Sequence, residues 1–406
     1  PPSPVFRRPV RPLVHLGCAR TYPARAGGSG RMTMLPAPWL IGPARAGCQM
    51  LENAGYQAWF VGGCVRNALM DAPVSDLDVC TDAHPETVIN LAKAAGLKPV
   101  PTGIDHGTIT VVSDGEPIEV PTFRRDVATD GRRAVVAFAD TMDDDALRRD
   151  FTMNAIYCDI RGQVADPLGG LPDLHARHVR FIEDPATRIK EDYLRILRFF
   201  RFYAWYGDPE GGIDADGLAA CAMYADGIDG LSSERITSEM IKLLSAPDPS
   251  LAVASMGRSG VLMHIAAGAA PDVISTLVHL EQSVGITPDP VRRIAALDGD
   301  RDRWRMSNAM QAALDARMAD LPLAEIAYRH GADAATDRYL IEQASMTQPA
   351  DPDRIASFAH AAVQVFPLKA ADLMPDLQGV ALGQALKSAQ ARWIASSFTL
   401  TKDDLL

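Results

Sequence analysis

Apolar and polar positions follow two regimes along the chain. Between residues 40 and 159, short apolar runs of strand length alternate with longer stretches of helical period. Ala58-Trp59-Phe60-Val61 reads as a buried strand, and residues 77–80, 108–112, 118–123 and 155–159 read as further strands. Residues 44–54, 85–95 and 143–154 read as helices, and a short helix over 65–70 is broken by Pro73. The stretch 122–133 has no hydrophobic period and contains Asp130-Gly131, so a mobile loop with a turn is expected there. After Asp166 every long segment reads as helix. Ser233-Glu234-Arg235 starts one polar end, and Ile236, Met240, Ile241, Leu243 and Leu244 form its apolar face. Proline-bearing breaks at 247–249, 271, 287–290 and 348–353 divide the remainder into several helices. The pattern predicts an α+β chain: a small mixed β-sheet with helices, then an all-helical part.

The chemistry-bearing residues sit at the junctions of these elements. Gly62-Gly63-Cys64-Val65-Arg66 follows the first strand and opens the first short helix. A glycine pair is commonly only a turn that needs positive φ, but between a strand and a helix start it also suits a phosphate cradle. Asp76-Leu77-Asp78 lies at the next strand. Side chains alternate along a strand, so both carboxylates point to one side. Such a pair is often a solvated edge; as a metal site it would take a hard, oxygen-seeking cation such as Mg2+. Glu119 lies in Pro117-Ile118-Glu119-Val120 and is expected to face away from its apolar neighbours. If its strand lies beside that of Asp76 and Asp78, three carboxylates converge. Asp76 and Asp78 would then bridge two ions and Glu119 would complete the ion that activates an attacking hydroxyl.

Further along, Asp192, Arg195, Arg198 and Arg201 recur every three residues beside an apolar stripe of Leu194, Leu197 and Phe200. Guanidinium forks and a carboxylate in a row can match base edges or phosphates. A solvated face held by i,i+3 ion pairs has the same spacing. Arg149 and Asp150 precede Phe151 and Asn154, where basic and acidic neighbours are also common in surface clusters.

The ordered set of glycine pair, Asp-x-Asp and later apolar-acid-apolar strand resembles the DNA polymerase beta-type nucleotidyltransferase superfamily. Arg148-Arg149-Asp150-Phe151-Thr152-Met153-Asn154-Ala155, Asp166-Pro167-Leu168-Gly169-Gly170 and Glu191-Asp192-Tyr193-Leu194-Arg195-Ile196-Leu197-Arg198-Phe199-Phe200-Arg201-Phe202 narrow the resemblance to class II tRNA nucleotidyltransferases and bacterial poly(A) polymerases. It runs from about Trp59 to about Leu244. The resemblance implies catalytic acids Asp76, Asp78 and Glu119, with Mg2+ held by Asp76 and Asp78. It implies nucleotide contacts from Gly62, Gly63, Arg66, Arg149, Asp150 and Asn154, the last three toward ribose and triphosphate. Asp192 and Arg195 would read the base of incoming CTP or ATP, Arg198 would read or touch the triphosphate, and Arg201 would support the array. The stretch 122–133 would act as the lever that switches from CTP to ATP. Where the family usually has Asp after the arginine of the glycine motif, this chain has Asn67, which removes a charge but should leave the turn intact.

The implied architecture is a nucleotidyltransferase head over 41–165, a base-recognising helical neck over 166–245 and an all-helical body over 246–406 that holds tRNA. The implied activity is template-independent addition of CCA to the 3′ end of tRNA, with release of pyrophosphate. Poly(A) synthesis, or a catalytically silent RNA-binding module, are the alternatives. At 406 residues and 47% hydrophobic content the chain can bury real cores. A net charge of −11 excludes general basic character, so RNA must meet local positive patches. Six cysteines without Cys-x-x-Cys spacing read as reduced thiols, and no apolar run is long enough to span a bilayer; a cytoplasmic enzyme is expected. Residues 1–40, rich in Pro, Gly and Arg with no acid before Glu52, are expected to be disordered. They read as sequence upstream of a start at Met32 or Met34, or as an organelle transit peptide.

Overall fold

The computed structural model describes residues 34–35, 40, 42–104, 107–129, 134–374 and 376–406. Its first part interleaves helices with short strands: α1 (Pro43–Asn53), β1 (Trp59–Val61), α2 (Gly63–Leu69), β2 (Val79–Cys80), α3 (Pro85–Ala94), β3 (Lys98–Gly103), β4 (Thr108–Ser113), β5 (Glu116–Pro121), β6 (Arg124–Thr129), β7 (Ala134–Phe138), α4 (Met142–Leu147), β8 (Tyr157–Cys158) and β9 (Val164–Ala165). One antiparallel sheet has the order β2-β1-β8-β9, and a second has the order β3-β4-β5. Two parallel bridges, Asp78 to Glu119 and Thr81 to Thr122, tie the sheets together, so the head sheet is mixed as expected. Burial along β5 alternates, with Ile118 and Val120 inside and Glu119 outside. The alternation follows from the pleat, which sends successive side chains to opposite faces.

Three local expectations are corrected, and one strand is found where none was expected. The stretch after Glu119 is not a loop: β6 and β7 pair in an antiparallel ladder from Arg124–Phe138 to Thr129–Ala134. Backbone hydrogen bonds made the ladder, and they leave no hydrophobic period to read. The Asp130-Gly131 turn lies outside the described residues. Residues 98–103 form an edge strand, β3, where Pro99 and Pro101 are tolerated because one side of the strand needs no ladder donors. The helix expected over 143–154 ends at Leu147; Phe151 bridges Phe181, and residues 152–154 form a separate 3-10 turn. Met34 bridges Gln163, and Leu35 and Leu40 are buried, so these residues differ from the disorder expected of 1–40. Most of that stretch lies outside the described residues.

The second part is helical: α5 (Gly170–His175), α6 (Pro185–Glu191), α7 (Leu194–Tyr206), α8 (Ala215–Met223), α9 (Ser233–Leu244), α10 (Ser250–Arg258), α11 (Pro271–Ser283), α12 (Pro290–Leu297), α13 (Asn308–Met318), α14 (Leu323–His330), α15 (Ala332–Met346), α16 (Pro352–Ala362), α17 (Gly379–Ala395) and α18 (Lys402–Leu405). The expected proline breaks are helix starts: Pro271, Pro290 and Pro352 each occupy a first turn, where the missing N–H costs nothing. Phe151 joins the two parts, with ring centroids 5.0 Å from Phe181 and 4.9 Å from Phe202. A buried ionic knot fastens the later helices. Glu281 accepts from Arg292 at 2.8 Å and Arg293 at 2.6 Å, and Asp337 accepts from Arg292 at 2.7 Å and Arg317 at 2.6 Å. Arg293 also donates to the carbonyls of Leu244 at 2.7 Å and Ala246 at 2.5 Å, at the end of α9. No helix among the described residues is long and apolar enough to cross a membrane.

Candidate active site

β1 delivers the chain into a tight turn. Gly62 has φ 73°, in the left-handed region that favours glycine, and a Cβ there would lie 3.5 Å from Arg149 Nη1. The amide of Arg66 closes on the Gly62 carbonyl at 2.9 Å. The first-turn N–H groups of Gly63, Cys64 and Val65 therefore fall outside the helix ladder, an arrangement that accepts anions.

Beside this turn the acids gather. Asp78 gives its carbonyl to the Val61 amide at 3.1 Å, and its parallel bridge sets it next to Glu119. Asp76, Asp78 and Glu119 line one cleft of about 550 Å³, together with Ser75, Thr110 and Glu116. Burial pushes the Asp78 carboxyl up from its ordinary range, and repulsion from Glu119 and Asp76 adds to that while Arg149 opposes it. An all-oxygen donor set with repelling charges fits a hard divalent cation. Among the described residues no three acids, thiols or imidazoles close into a cage on their own. A cation here would complete its shell with substrate phosphates and water, as Mg2+ commonly does.

A cationic network backs the turn. Asp145, wholly buried in α4, accepts from Arg148 at 2.8 Å, from Arg149 at 2.8 Å and from the Tyr157 hydroxyl at 3.1 Å. Burial alone would raise its carboxyl, but Arg149 and Arg148 override this and hold it down at about 2. Asp150 accepts from the Phe151 amide at 2.9 Å, from Asn154 Nδ2 at 2.8 Å and from Arg198 Nε at 2.7 Å. Its burial penalty is likewise overridden, chiefly by Arg198, and it too is held at about 2. Asp150 thus ties the segment after α4 to the side chain of Asn154 in the 3-10 turn. Asn154 Oδ1 in turn accepts from Arg66 Nη1 at 2.6 Å.

Arg66, expected at the phosphates, is tied into the fold beside the glycine turn. It is buried, donates to Asn67, Asn154 and the Tyr206 hydroxyl, and lies 3.9 Å from the Tyr206 ring centroid. Three residues after Gly63 on a helix, it falls on the inner face and braces the turn from behind.

The stripe after residue 191 is assembled differently from its spacing. Asp192 is not in α7: it stands in extended backbone, φ −156°, between α6 and α7. Its oxygens accept from the Leu194 amide at 3.1 Å and from Arg235 Nη2 at 2.7 Å. Arg195 is held by Glu191, by the Arg188 carbonyl at 2.8 Å and by the Arg148 carbonyl at 2.9 Å. Arg201 pairs with Glu239 at 2.5 Å. The Phe202 ring is shared by Arg66, Arg198 and Arg201, with centroid distances of 5.0, 5.3 and 4.6 Å.

Residues 58–180 match the family profile described as poly A polymerase head domain, and residues 212–272 match a probable RNA- and SrmB-binding site of polymerase A. The CCA-adding enzyme of Streptococcus gordonii is 36% identical over 243 residues, covering 59% of this chain and 58% of that protein. The mitochondrial CCA tRNA nucleotidyltransferase 1 of Mus musculus is 35% identical over 250 residues, 61% of this chain and 58% of that one. The matched stretch thus spans less than two thirds of these curated relatives. A crystal structure of the Bacillus stearothermophilus CCA-adding enzyme in complex with CTP superposes with TM-score 0.68 at 25% identity, covering 89% of this chain and 94% of that one. The Thermotoga maritima CCA-adding enzyme complexed with tRNA shares the fold, with TM-score 0.65 at 16% identity and coverage of 91% and 95%.

Over these stretches the chain is similar to the poly A polymerase head family and to the CCA-adding enzymes.

Against the pattern of that family the chain carries one substitution in the glycine motif, and the structure shows what that residue does. Asn67 Oδ1 accepts from Arg66 Nη2 at 2.8 Å, and Asn67 Nδ2 donates to the Pro73 carbonyl at 2.7 Å. The second bond needs an amide and is closed to the usual aspartate, and the turn is intact. Sequence reasoning missed Glu116, Asp145, Tyr206, Arg235 and Glu239. Only Asp145 left a local signal, three and four residues ahead of Arg148 and Arg149. The others act across the fold.

Proposed function

We propose that this chain is a class II nucleotidyltransferase that adds CCA to the 3′ end of tRNA, using CTP and ATP without a nucleic-acid template and releasing pyrophosphate. The observation that carries the reading is a single cleft lined by Asp76, Asp78 and Glu119 beside the Gly62 turn. The relatives' names, and the superposition on an enzyme bound to CTP, support the choice of substrates. Mg2+ would be held by Asp76 and Asp78, where it supplies charge neutralisation at the triphosphate and acidifies the attacking hydroxyl.

The chain's own groups do the rest. Gly62, Gly63 and Arg149 receive the triphosphate, Asp78 and Glu119 orient the RNA 3′-hydroxyl for in-line attack on the α-phosphate, and Asp150 with Asn154 faces the ribose. Arg66 braces the turn. Asp192 and Arg195 read the base, with Arg198 and Arg201 stiffening the array. We assign residues 41–165 to a catalytic head, 166–245 to a base-reading neck and 246–406 to a body that holds tRNA. Buried free thiols at Cys48, Cys64, Cys80, Cys158 and Cys221 suit a reducing, cytoplasmic setting.

The matched head profile is described by poly A polymerase, which favours long adenosine tracts as the second reading. One gel separates them. With tRNA ending before CCA, labelled CTP alone should add two nucleotides, and CTP with ATP should add three and stop. Open-ended adenosine ladders would replace the tRNA assignment with the poly(A) one, and no extension at all would leave a silent RNA-binding module.

A further inference from the structure

The proposed base reader Asp192 lies where secondary structure does least to fix it. Its backbone is extended between two helices, and among the described residues the local hold on its carboxylate is the Leu194 amide on Oδ1. The other oxygen is held from a distance of 43 residues in sequence by Arg235, in the first turn of α9, at 2.7 Å. Among the described residues Asp192 is Arg235's one ion-pair partner. Both side chains are about one third exposed, 36% for Arg235 and 29% for Asp192, so the pair faces solvent from the side of the array. One helical turn on, Glu239 of the same helix pairs with Arg201. α9 therefore presents a cation and an anion, four residues apart, that grip the first and last members of the array. Gly227 backs the same point. A Cβ there would lie 2.0 Å from the Tyr193 ring, so Tyr193 is wedged against backbone and the Asp192 segment cannot shift that way.

Cytosine and adenine share an exocyclic amino donor on the pairing edge, where uracil and guanine present a carbonyl. A carboxylate held in a fixed direction rewards the first pair and repels the second. We propose that Arg235 is a positioning residue that sets nucleotide selectivity by holding the Asp192 carboxylate oriented. The inference rests on the reading of Asp192 as a base reader. The bond comes from one nitrogen of a rigid planar guanidinium, whose direction a flexible ammonium does not reproduce.

The test compares incorporation of CTP with that of UTP by the full chain on tRNA lacking CCA. In Arg235→Ala the ratio of kcat/KM for CTP over UTP is expected to fall about 10-fold, mostly through the loss of discrimination rather than of kcat for CTP. Arg235→Lys, which keeps charge without the fork, should recover part of the ratio, and circular dichroism melting should show both variants folded. If Asp192→Asn lowers the ratio while Arg235→Ala and Arg235→Gln leave it unchanged, the role given to Arg235 is wrong and the base-reading assignment stands. If Asp192→Asn leaves the ratio unchanged, the base-reading assignment itself falls and takes this inference with it. An equal loss of kcat for both nucleotides in Arg235→Ala, with the ratio intact, would reduce Arg235 to a structural strut.

Discussion

The acid cleft and the arginine array follow opposite electrostatic plans. In the cleft, carboxylates crowd with no ion-pair partner among the described residues: burial, then Glu119 and Asp76, push the Asp78 carboxyl up, and Arg149 offsets this only in part. In the array, each guanidinium has a carboxylate facing it, Arg195 with Glu191, Arg198 with Asp150 and Arg201 with Glu239. A strained set of like charges stores affinity for an incoming cation, whereas a neutralised set stores shape. The first is built to bind charge, and the second to present hydrogen-bond geometry that does not move.

The sharpest way to break this contrast is to remove charge from the cleft. Asp78→Asn should lower nucleotide transfer by about 10³-fold while melting at or above the wild-type temperature. The sign follows from the raised carboxyl: the fold favours its neutral form, so stability is lost as pH climbs through its folded range, and an amide relieves that cost at neutral pH. Retained activity with a lower melting temperature would invert the assignment.

The same exchange in the array should do the reverse. Asp150→Asn strips the carboxylate from Arg198 and is expected to cost about 3–5 kcal/mol in urea unfolding. Asp150 and Asp145 are each held at about 2, below the usual 3.8. Each therefore gives roughly 2 kcal/mol that is present above pH 4 and drains away as pH falls toward 2. The variant's unfolding midpoint should accordingly fall less steeply with acid than the wild type's; parallel curves would show that Asp150 carries no such charge.

The smallest effect sits between the two regions. Gly62→Ala places a side chain at φ 73° beside Arg149 and should cost about 1–2 kcal/mol, with a raised KM for both nucleotides. An unchanged KM would separate the turn from triphosphate binding.

The two regions also differed in how far the sequence exposed them. Period-two alternation around Ile118, Glu119 and Val120 revealed the facing of Glu119, because a strand's pleat is a local rule. The three-residue spacing from Asp192 to Arg201 gave the array's members but not its construction. Counting by threes ran through the break at Asp192, and the partners Arg235 and Glu239 come from another helix. Tertiary pairs leave no period behind them. The β6–β7 ladder was hidden for a related reason: its strands are joined by backbone groups, which every residue carries alike.

The knot around Arg293 has a mechanical consequence. This guanidinium is sunk in the interior and anchored both to Glu281 and to the terminal carbonyls of α9. Swivelling α9 on α12 would strand a charge in hydrocarbon at a cost of several kcal/mol. Helices α9, α11, α12, α13 and α15 are thereby fastened to one another, and Arg235 and Glu239 are carried on α9, one member of that tied group.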